Sequence, residues 1–123
     1  MSFKRLRLGK DGESAAASYL KKRGYRILEK NFRTAAGEID IIAEHERTVV
    51  FIEVKTRSDG EFGHPSLAVT SAKRKKLAVL AKSFLARHKI EGRDCRFDVV
   101  SIVAPSADPK SWVIELLQDA FRI

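Results

Sequence analysis

The amino-acid sequence predicts an α/β or mixed-sheet domain in which about five strands are flanked by helices. The chain has 123 residues, which is the size of one domain. Its hydrophobic periodicities change along the chain in the order helix, three strands, helix, two strands. The second helix separates its neighbouring strands by more than the dozen residues that a parallel crossover needs. We therefore expect a single folded domain, residues 11–123, with helices covering the sheet.

The first helix is predicted at Asp11–Arg23, after a basic N-terminal arm, residues 1–10, that we expect to be flexible. Asp11 is a suitable N-cap, and Gly24 is suitable just past the C-terminus. The apolar side of this helix consists of Ala16, Ala17 and Leu20. Glu13 falls on the same side of the helix. An acid at this position either has a function or favours the positive end of the helix dipole, and the two readings are about equal.

The remaining elements follow from alternation, apolar runs and turn residues. Strands are predicted at Tyr25–Phe32, Ile39–Ala43, Thr48–Arg57, Arg96–Val103 and Trp112–Leu117, a loop at Ser58–Pro65, and a second helix at Ser71–His88. Thr70 can cap the second helix. The dipeptide Glu46-Arg47 is poor turn chemistry for a two-residue hairpin, so we expect a longer turn there.

The net charge of +8 is concentrated in two stretches of the chain. Residues 1–10 have four basic side chains and residues 62–90 have seven, with no acidic side chain in either stretch. A concentrated basic field attracts polyanions, nucleic acid above all. A solvated basic surface explains the composition equally well, and an anionic membrane surface is a weaker explanation.

Other features of the composition exclude several classes of protein. The single cysteine, Cys95, excludes an intramolecular disulfide framework and a Cys-rich zinc site. No apolar run approaches the length of a membrane span, and the basic N-terminus lacks the apolar region of a secretory signal. We therefore expect a soluble protein of a reducing compartment, the cytoplasm, without a membrane partner.

The second predicted strand separates ionisable from apolar residues. Side chains two residues apart share a face of a strand. Glu38, Asp40 and Ile42 therefore share one face, with Ile39 and Ile41 on the other.

The third predicted strand brings two more ionisable residues to the same place. Glu53 and Lys55 share a face directly after an apolar run. If the two strands pair as an antiparallel hairpin with residue numbers that add up to 93, Asp40 lies opposite Glu53 and Glu38 lies opposite Lys55. A slip by two residues, to a sum of 91, keeps all four on one face.

This arrangement of charges suits a metal site. Opposite Cβ atoms lie about 4.5–5.5 Å apart, and two carboxylates at that distance repel each other unless a cation lies between them. A hard divalent ion such as Mg²⁺ binds one or two carboxylates, waters and a substrate phosphate. A nearby lysine can orient the attacking water. The alternative is an exposed network of ordinary ion pairs, Glu38–Lys55 and Glu53–Arg57.

Two further charged residues have two interpretations each. Lys73 falls on the inward side of the second helix, so it either reaches a phosphate near the site or extends along apolar surface to water. Asp98 interrupts an apolar strand, where it either pairs with a site lysine or is an acid at the edge of the core.

Motifs along nearly the whole chain form a specific combination. They are GxxGExxAxxYL at Gly9–Leu20, NFRTAAGEIDIIA at Asn31–Ala43, VFIEVKTR at Val50–Arg57, FG at Phe62–Gly63, RFDVVSI at Arg96–Ile102 and AF at Ala120–Phe121. This combination resembles the YraN-like family of small bacterial proteins. The resemblance implies the restriction-endonuclease-like fold of the PD-(D/E)xK nuclease superfamily, with archaeal Holliday-junction resolvases as similar members.

The resemblance also implies roles for individual residues. Asp40 matches the first metal-binding aspartate, Glu53 the second metal-binding acid and Lys55 the catalytic lysine. Glu13 matches the helix-borne glutamate that completes the site in resolvase-like members. Ile39 departs from the proline in the superfamily's name, a departure that many members tolerate.

We therefore expect a metal-dependent endonuclease that hydrolyses phosphodiester bonds of DNA, with branched or structured DNA as the candidate substrate and Mg²⁺ or Mn²⁺ as cofactor. The residues expected to bind nucleic acid are Lys73, Arg74, Lys75, Lys76, Arg57, Lys4, Arg5 and Arg7. Resolvases of this fold act as dimers, so a homodimer is expected. The alternatives are a non-catalytic nucleic-acid-binding module with the same fold, and a protein whose basic face docks an acidic partner.

Overall fold

The described part of the chain combines two helices and five strands in an α/β domain, which confirms the predicted fold class. The structure is a computed structural model that describes residues 3–58 and 70–121, with side chains from Lys10 onward. Its elements are α1 (Phe3–Lys22), β1 (Arg26–Thr34), β2 (Gly37–His45), β3 (Thr48–Arg57), α2 (Ser71–Arg87), β4 (Cys95–Val103), one turn of 3₁₀ helix (Pro109–Ser111) and β5 (Val113–Phe121). None of the described helices is both long enough and apolar enough to cross a membrane.

The five strands form one mixed sheet in the order β1-β2-β3-β4-β5. Neighbouring strands are antiparallel except for β3 and β4, which are parallel. The chain passes through α2 between these two strands, so the predicted crossover is confirmed. The architecture is consistent with a restriction-endonuclease-like fold.

Each face of the sheet is buried beneath one helix. On the α1 face the core contains Ala16, Ala17 and Leu20 of the helix with Ile41, Ala43, Val50, Ile52, Val100 and Ile102 of the sheet. On the α2 face it contains Leu77, Leu80, Ala81 and Phe84 with Phe32, Ile42, Phe51, Phe97 and Val99. The central strand β3 contributes to both cores, which explains its continuous apolar run from Val49 to Ile52.

The largest difference from the predicted boundaries is at the start of α1, while most strand ends differ by one to four residues. The helix α1 begins at Phe3 and not at an Asp11 cap, so the backbone of residues 3–10 is helical. Positions 4–8 hold only lysine, arginine and leucine, which are good helix formers, and no proline interrupts them. The predicted loop Ser58–Pro65 lies outside the described residues, apart from Ser58. The predicted Thr70 cap is confirmed, since its Oγ1 accepts a hydrogen bond of 3.2 Å from the Lys73 backbone.

The turn between β2 and β3 is shorter than predicted. Only Glu46 and Arg47 separate the strands, and both have positive φ angles, 49° and 70°. Neither residue favours that conformation. The guanidinium of Arg93 compensates, because its Nε and Nη2 donate to the Arg47 carbonyl at 2.9 and 2.7 Å. This tertiary contact could not be predicted from the turn sequence.

A buried polar cluster around Asp98 links β4 to its neighbouring elements. The Asp98 carboxylate accepts hydrogen bonds from Tyr25 Oη at 2.7 Å, Arg96 Nε at 3.0 Å and the Asp119 backbone at 2.9 Å. Asp98 is therefore a fully buried acid that pairs with Arg96. The prediction that it could pair with a lysine of the candidate site is wrong. The cluster ties β4 to the turn after α1 and to β5.

A close approach of the α1 backbone to the Thr56 side chain of β3 sets the position of α1. A Cβ atom added at Gly12 would lie 2.1 Å from Thr56 Oγ1, so α1 can pack on β3 only with glycine there. The next residue, Glu13, is thereby held beside the sheet.

We predict that Gly12→Ala destabilises the fold by roughly 1–3 kcal/mol, because the added methyl group overlaps Thr56. Chemical denaturation measures this, with Ser14→Ala, an exposed position on α1, as the matched control. Equal stability of the two variants would contradict the close approach.

We predict that Asp98→Ala costs roughly 3–5 kcal/mol of stability, because it leaves the Arg96 guanidinium buried without its carboxylate. Arg26→Ala removes an exposed ion pair to Glu44 and should shift the denaturation midpoint much less than Asp98→Ala does. Denaturant midpoints of both variants test this. Similar losses of stability in the two variants would show that the buried cluster stabilises the fold no more than the exposed ion pair does.

Candidate metal centre

The candidate site lies where β2 and β3 part. Their pairing has the predicted register, with residue numbers that add up to 93, but the observed ladder ends at Ile41 and Ile52. Beyond this pair β2 continues along β1, and β3 continues along β4. Asp40 and Glu53 are therefore not paired across a regular ladder as predicted. Instead, the Val54 backbone donates to Asp40 Oδ2 at 2.8 Å.

The alternation of side chains breaks at the same point, which corrects a second prediction. Ile39 lies in the core under α2, whereas Ile41 lies in the core under α1, so the two do not share a face. On the neighbouring strand Asn31 has a φ of 54°, and the β1–β2 register contains no Asn31–Asp40 pair. This left-handed residue interrupts the regular pleat and lets Asp40 turn toward α1.

Three half-buried carboxylates converge at the fork, the place beyond Ile41 and Ile52 where β2 and β3 separate. Oxygen atoms of Glu13, Glu38 and Asp40 all lie within 4.8 Å of one another. With its side-chain nitrogen turned toward the acids, Asn31 donates to Glu38 Oε1 at 2.7 Å and to Glu13 Oε2 at 3.1 Å. Arg33 pairs with the other oxygen of Glu38 at 3.0 Å. Glu38 therefore belongs to this acidic trio and does not lie opposite Lys55 as predicted.

The crowded charges change the proton affinity of the acids. Burial, followed by repulsion from Glu53, raises the pKa of Asp40 to about 7, although the hydrogen bond from Val54 opposes the shift. Burial and the neighbouring Glu38 also raise the pKa of Glu13. Such a cluster is costly when fully ionised and gains stability from a bound cation.

Glu53 lies on the side of the fork that faces α2. Its Oε1 lies 3.0 Å from Lys73 Nζ and 3.9 Å from Lys55 Nζ. Its Oε2 is buried and has no hydrogen-bond partner among the residues that the structure describes. Lys73 thus contacts a site carboxylate, and it does not simply extend to solvent.

The two lysines influence each other. Burial, together with the hydrogen bond and charge of Lys73, lowers the pKa of Lys55. Burial would also lower the pKa of Lys73, but its contacts with Lys55 and Glu53 outweigh burial and raise it. Lys73 is therefore the more firmly charged of the two.

Of the residues predicted to bind nucleic acid, Lys73 contacts the centre, and the other described ones lie on α2 and at the end of β3. Arg74, Lys75 and Lys76 are exposed on α2, and the guanidinium of Arg74 lies 5.1 Å from the centre of the Phe121 ring. Arg57 is half-buried at the end of β3. The side chains of Lys4, Arg5 and Arg7 lie outside the described residues.

An open groove of about 390 Å³ is lined by one acid of the trio, Glu38, and by Lys73. It runs between the β1–β2 turn and the first turns of α2. Its lining consists of Ala36, Gly37, Glu38, Thr70, Ala72, Lys73, Lys76, Leu77 and Leu80. A ligand in this groove would contact Glu38, Lys73 and Lys76.

Glu38 and Asn31 are the site residues whose roles were not predicted. For Glu38 there was a signal, because it stands two residues before Asp40 on the same strand. For Asn31 there was none, since its role depends on a left-handed backbone conformation that β1 adopts only against β2.

The residues of the centre fit a hard divalent ion. Oxygen ligands lie about 2.0–2.6 Å from Mg²⁺ or Ca²⁺, so ligands of one ion are at most about 4–5 Å apart. The oxygens of the acidic trio meet this limit. The unpartnered Oε2 of Glu53 is a further buried acceptor that a cation would satisfy.

Comparisons with known proteins identify relatives over the full chain. The protein-family model described as "Uncharacterised protein family UPF0102" matches residues 12–102. A UPF0102 protein of Geobacter metallireducens is 44% identical over 123 residues, which are 100% of this chain and 98% of that protein. A UPF0102 protein of Moorella thermoacetica is 49% identical over 121 residues, 98% of this chain and 100% of that protein. One of Chlorobium phaeobacteroides is 50% identical over 118 residues, 94% of this chain and 93% of that protein.

We predict that Asp40→Asn changes how stability depends on pH. The pKa of Asp40 is raised from 3.8 to about 7 in the folded protein, so its protonated form stabilises the fold at low pH. That stabilisation is lost as pH rises through about 7. Relative to the wild type, Asp40→Asn should therefore gain on the order of 2 kcal/mol between about pH 4 and pH 7.5.

Urea denaturation at the two pH values measures this gain. Glu115→Gln, which neutralises an exposed carboxylate on β5, is the control and should follow the wild-type profile. Parallel profiles for all three proteins would mean that Asp40 does not titrate as inferred.

Proposed function

The chain belongs to the UPF0102 family, the YraN-like family that its motifs resemble, and from the geometry of its acidic centre we propose that it is a metal-dependent DNA phosphodiesterase. One observation carries the proposal. Carboxylate oxygens of Glu13, Glu38 and Asp40 converge within 4.8 Å, beside a fourth carboxylate and two lysines. Paired acids with an adjacent ammonium group are the components that hydrolysis of a phosphodiester requires.

In this proposal the carboxylates are the cofactor's ligands. Asp40, Glu53 and Glu13 would hold Mg²⁺ or Mn²⁺, and Glu38 supplements them. When bound, such an ion supplies Lewis-acid stabilisation of the phosphate and lowers the pKa of a bound water. Asn31 and the Val54 backbone act on the acids by hydrogen bonding and keep Glu13, Glu38 and Asp40 oriented.

Lys55 is the proposed catalytic lysine. It follows Glu53 on the same face of β3 and is half-buried, with Nζ 3.9 Å from Glu53 Oε1. From this position its N–H groups can orient the attacking water and donate to a phosphate oxygen. A partly dry surrounding strengthens both interactions.

Contacts with DNA are proposed along the basic start of α2. Lys75 and Lys76 are exposed there, and Lys76 lines the groove that adjoins the site. Lysine contacts to phosphates hold DNA without reading its sequence and make binding steeply dependent on salt. Branched or structured DNA is the proposed substrate, and a homodimer would supply one centre for each of two strands.

We predict that the protein cleaves DNA with Mg²⁺ or Mn²⁺ and not in EDTA, and that Asp40→Ala and Glu53→Ala each reduce the cleavage rate by roughly 100-fold or more. A labelled four-way junction and a linear duplex of the same sequence are the substrates. Glu115→Ala, on the exposed side of β5, is the matched control and should cleave like the wild type.

The outcomes separate the proposal from its alternatives. Equal cleavage by the wild type and the Asp40 and Glu53 variants would rule out the assigned site. Salt-sensitive DNA binding that survives Asp40→Ala without any cleavage would identify a non-catalytic binding module. The absence of a DNA complex at moderate salt would instead favour a docking surface for an acidic protein.

A further inference from the structure

Lys73 differs from the other basic residues at the start of α2. Its side chain is 29% exposed and its Nζ contacts Glu53, whereas Arg74, Lys75 and Lys76 are exposed. Its backbone is fixed, because the Lys73 amide donates to the Thr70 cap. The ammonium group is joined to this fixed point by four rotatable bonds, so it can move while the helix stays in place.

Lys73 neutralises Glu53 only in part. The Lys73 ammonium lies 3.0 Å from Oε1, while Oε2 is buried without a partner among the described residues. A buried carboxylate oxygen without a hydrogen bond is unfavourable, so this pairing leaves an acceptor that another cation could use.

The same ammonium group attracts the acids that would bind a metal ion. Lys73 interacts favourably with the charges of both Glu53 and Asp40. A divalent ion bound by these acids would repel a lysine ammonium at short range. The lysine and the ion therefore compete for the same negative charge.

A path for the displaced side chain is present. Lys73 is also a wall of the open groove beside the site, together with Thr70 and Lys76. Rotation about its side-chain bonds can carry the ammonium from Glu53 into this groove, where an incoming phosphate would attract it.

We propose that Lys73 exchanges partners, neutralising Glu53 in the ion-free protein and contacting a substrate phosphate once a divalent ion is bound. This inference rests on the proposed function, because it needs the ion and the phosphate that the function implies. It assigns Lys73 a role that the neighbouring lysines do not share.

The first test is calorimetric titration of the full chain with Mn²⁺ in the absence of DNA. Lys73→Gln removes the competing cation and should bind Mn²⁺ at least about fivefold more tightly than the wild type. Lys82→Gln, an exposed position further along α2 that does not line the groove, is the matched control and should bind as the wild type does. A merely structural role for Lys73 predicts weaker or unchanged binding, and either result would overturn the proposal.

A second variant covers the case in which Lys73→Gln does not fold, which circular dichroism would detect. Lys73→Arg keeps a cation that can pair with Glu53, so its Mn²⁺ affinity should be no higher than that of the wild type. Tighter binding by Lys73→Arg would contradict the competition.

The second test compares DNA binding with and without a divalent ion. By fluorescence anisotropy on a short duplex, Lys73→Gln should bind at least about threefold more weakly than Lys82→Gln in Ca²⁺ and equally well in EDTA. A gel confirms that the duplex stays intact. An equal difference in Ca²⁺ and EDTA would show that Lys73 does not change partners.

Failure of this inference is distinguishable from failure of the proposed function. If the wild type binds Mn²⁺, Asp40→Ala does not, and Lys73→Gln is no tighter, then the inference alone is wrong. If only Lys73→Gln binds Mn²⁺, the competition is supported directly. If neither protein binds Mn²⁺, both the inference and the metal-dependent function are wrong.

Discussion

The parting of β2 from β3 is the constraint on which the candidate site depends. Up to Ile41 and Ile52 the two strands form a regular ladder, and beyond that pair each follows a different neighbour. The opening would leave backbone groups without partners, but Asp40 accepts the hydrogen bond of the Val54 amide at 2.8 Å. One carboxylate thus both closes the fork and belongs to the acidic trio. The structural and chemical roles of Asp40 cannot be separated.

The two helices act on this fork from opposite faces of the sheet. The helix α1 brings an acid, Glu13, to the trio, and α2 brings a base, Lys73, to Glu53. Each helix is held by an apolar core on its own face of the sheet. The free energy gained by burying these cores is much larger than that of the charge interactions, so the cores fix where the charged groups lie. The acids are crowded because the folded core keeps them there, and this cost is typical of a site built to bind a cation.

Much of the fold and part of the site could be predicted from sequence because both follow from local periodicity. Alternation predicted the strand β3 with its observed ends and two possible hairpin registers, of which the structure has the one with residue numbers that add up to 93, and helical spacing placed Glu13 on the inward side of α1. Three features depend on tertiary structure, and local periodicity signals only part of the last, by placing Lys73 on the inward side of α2. They are the left-handed Asn31 that turns Asp40, the Arg93 contact that permits a two-residue turn, and the reach of Lys73 to Glu53. Each joins segments that are distant in sequence or requires an unfavourable backbone conformation.

The contact between Gly12 and Thr56 has a consequence for how the centre responds to its contents. Because no side-chain torsion of residue 12 intervenes, the distance from α1 to β3 is set by the helix backbone itself, and Glu13 is carried on a stiff support. Lys73, in contrast, extends from α2 on a long hydrocarbon chain. One wall of the candidate centre is therefore stiff and the other flexible, so in the proposed function an ion of a different radius would be accommodated by motion of Lys73 while the position of Glu13 stays constant.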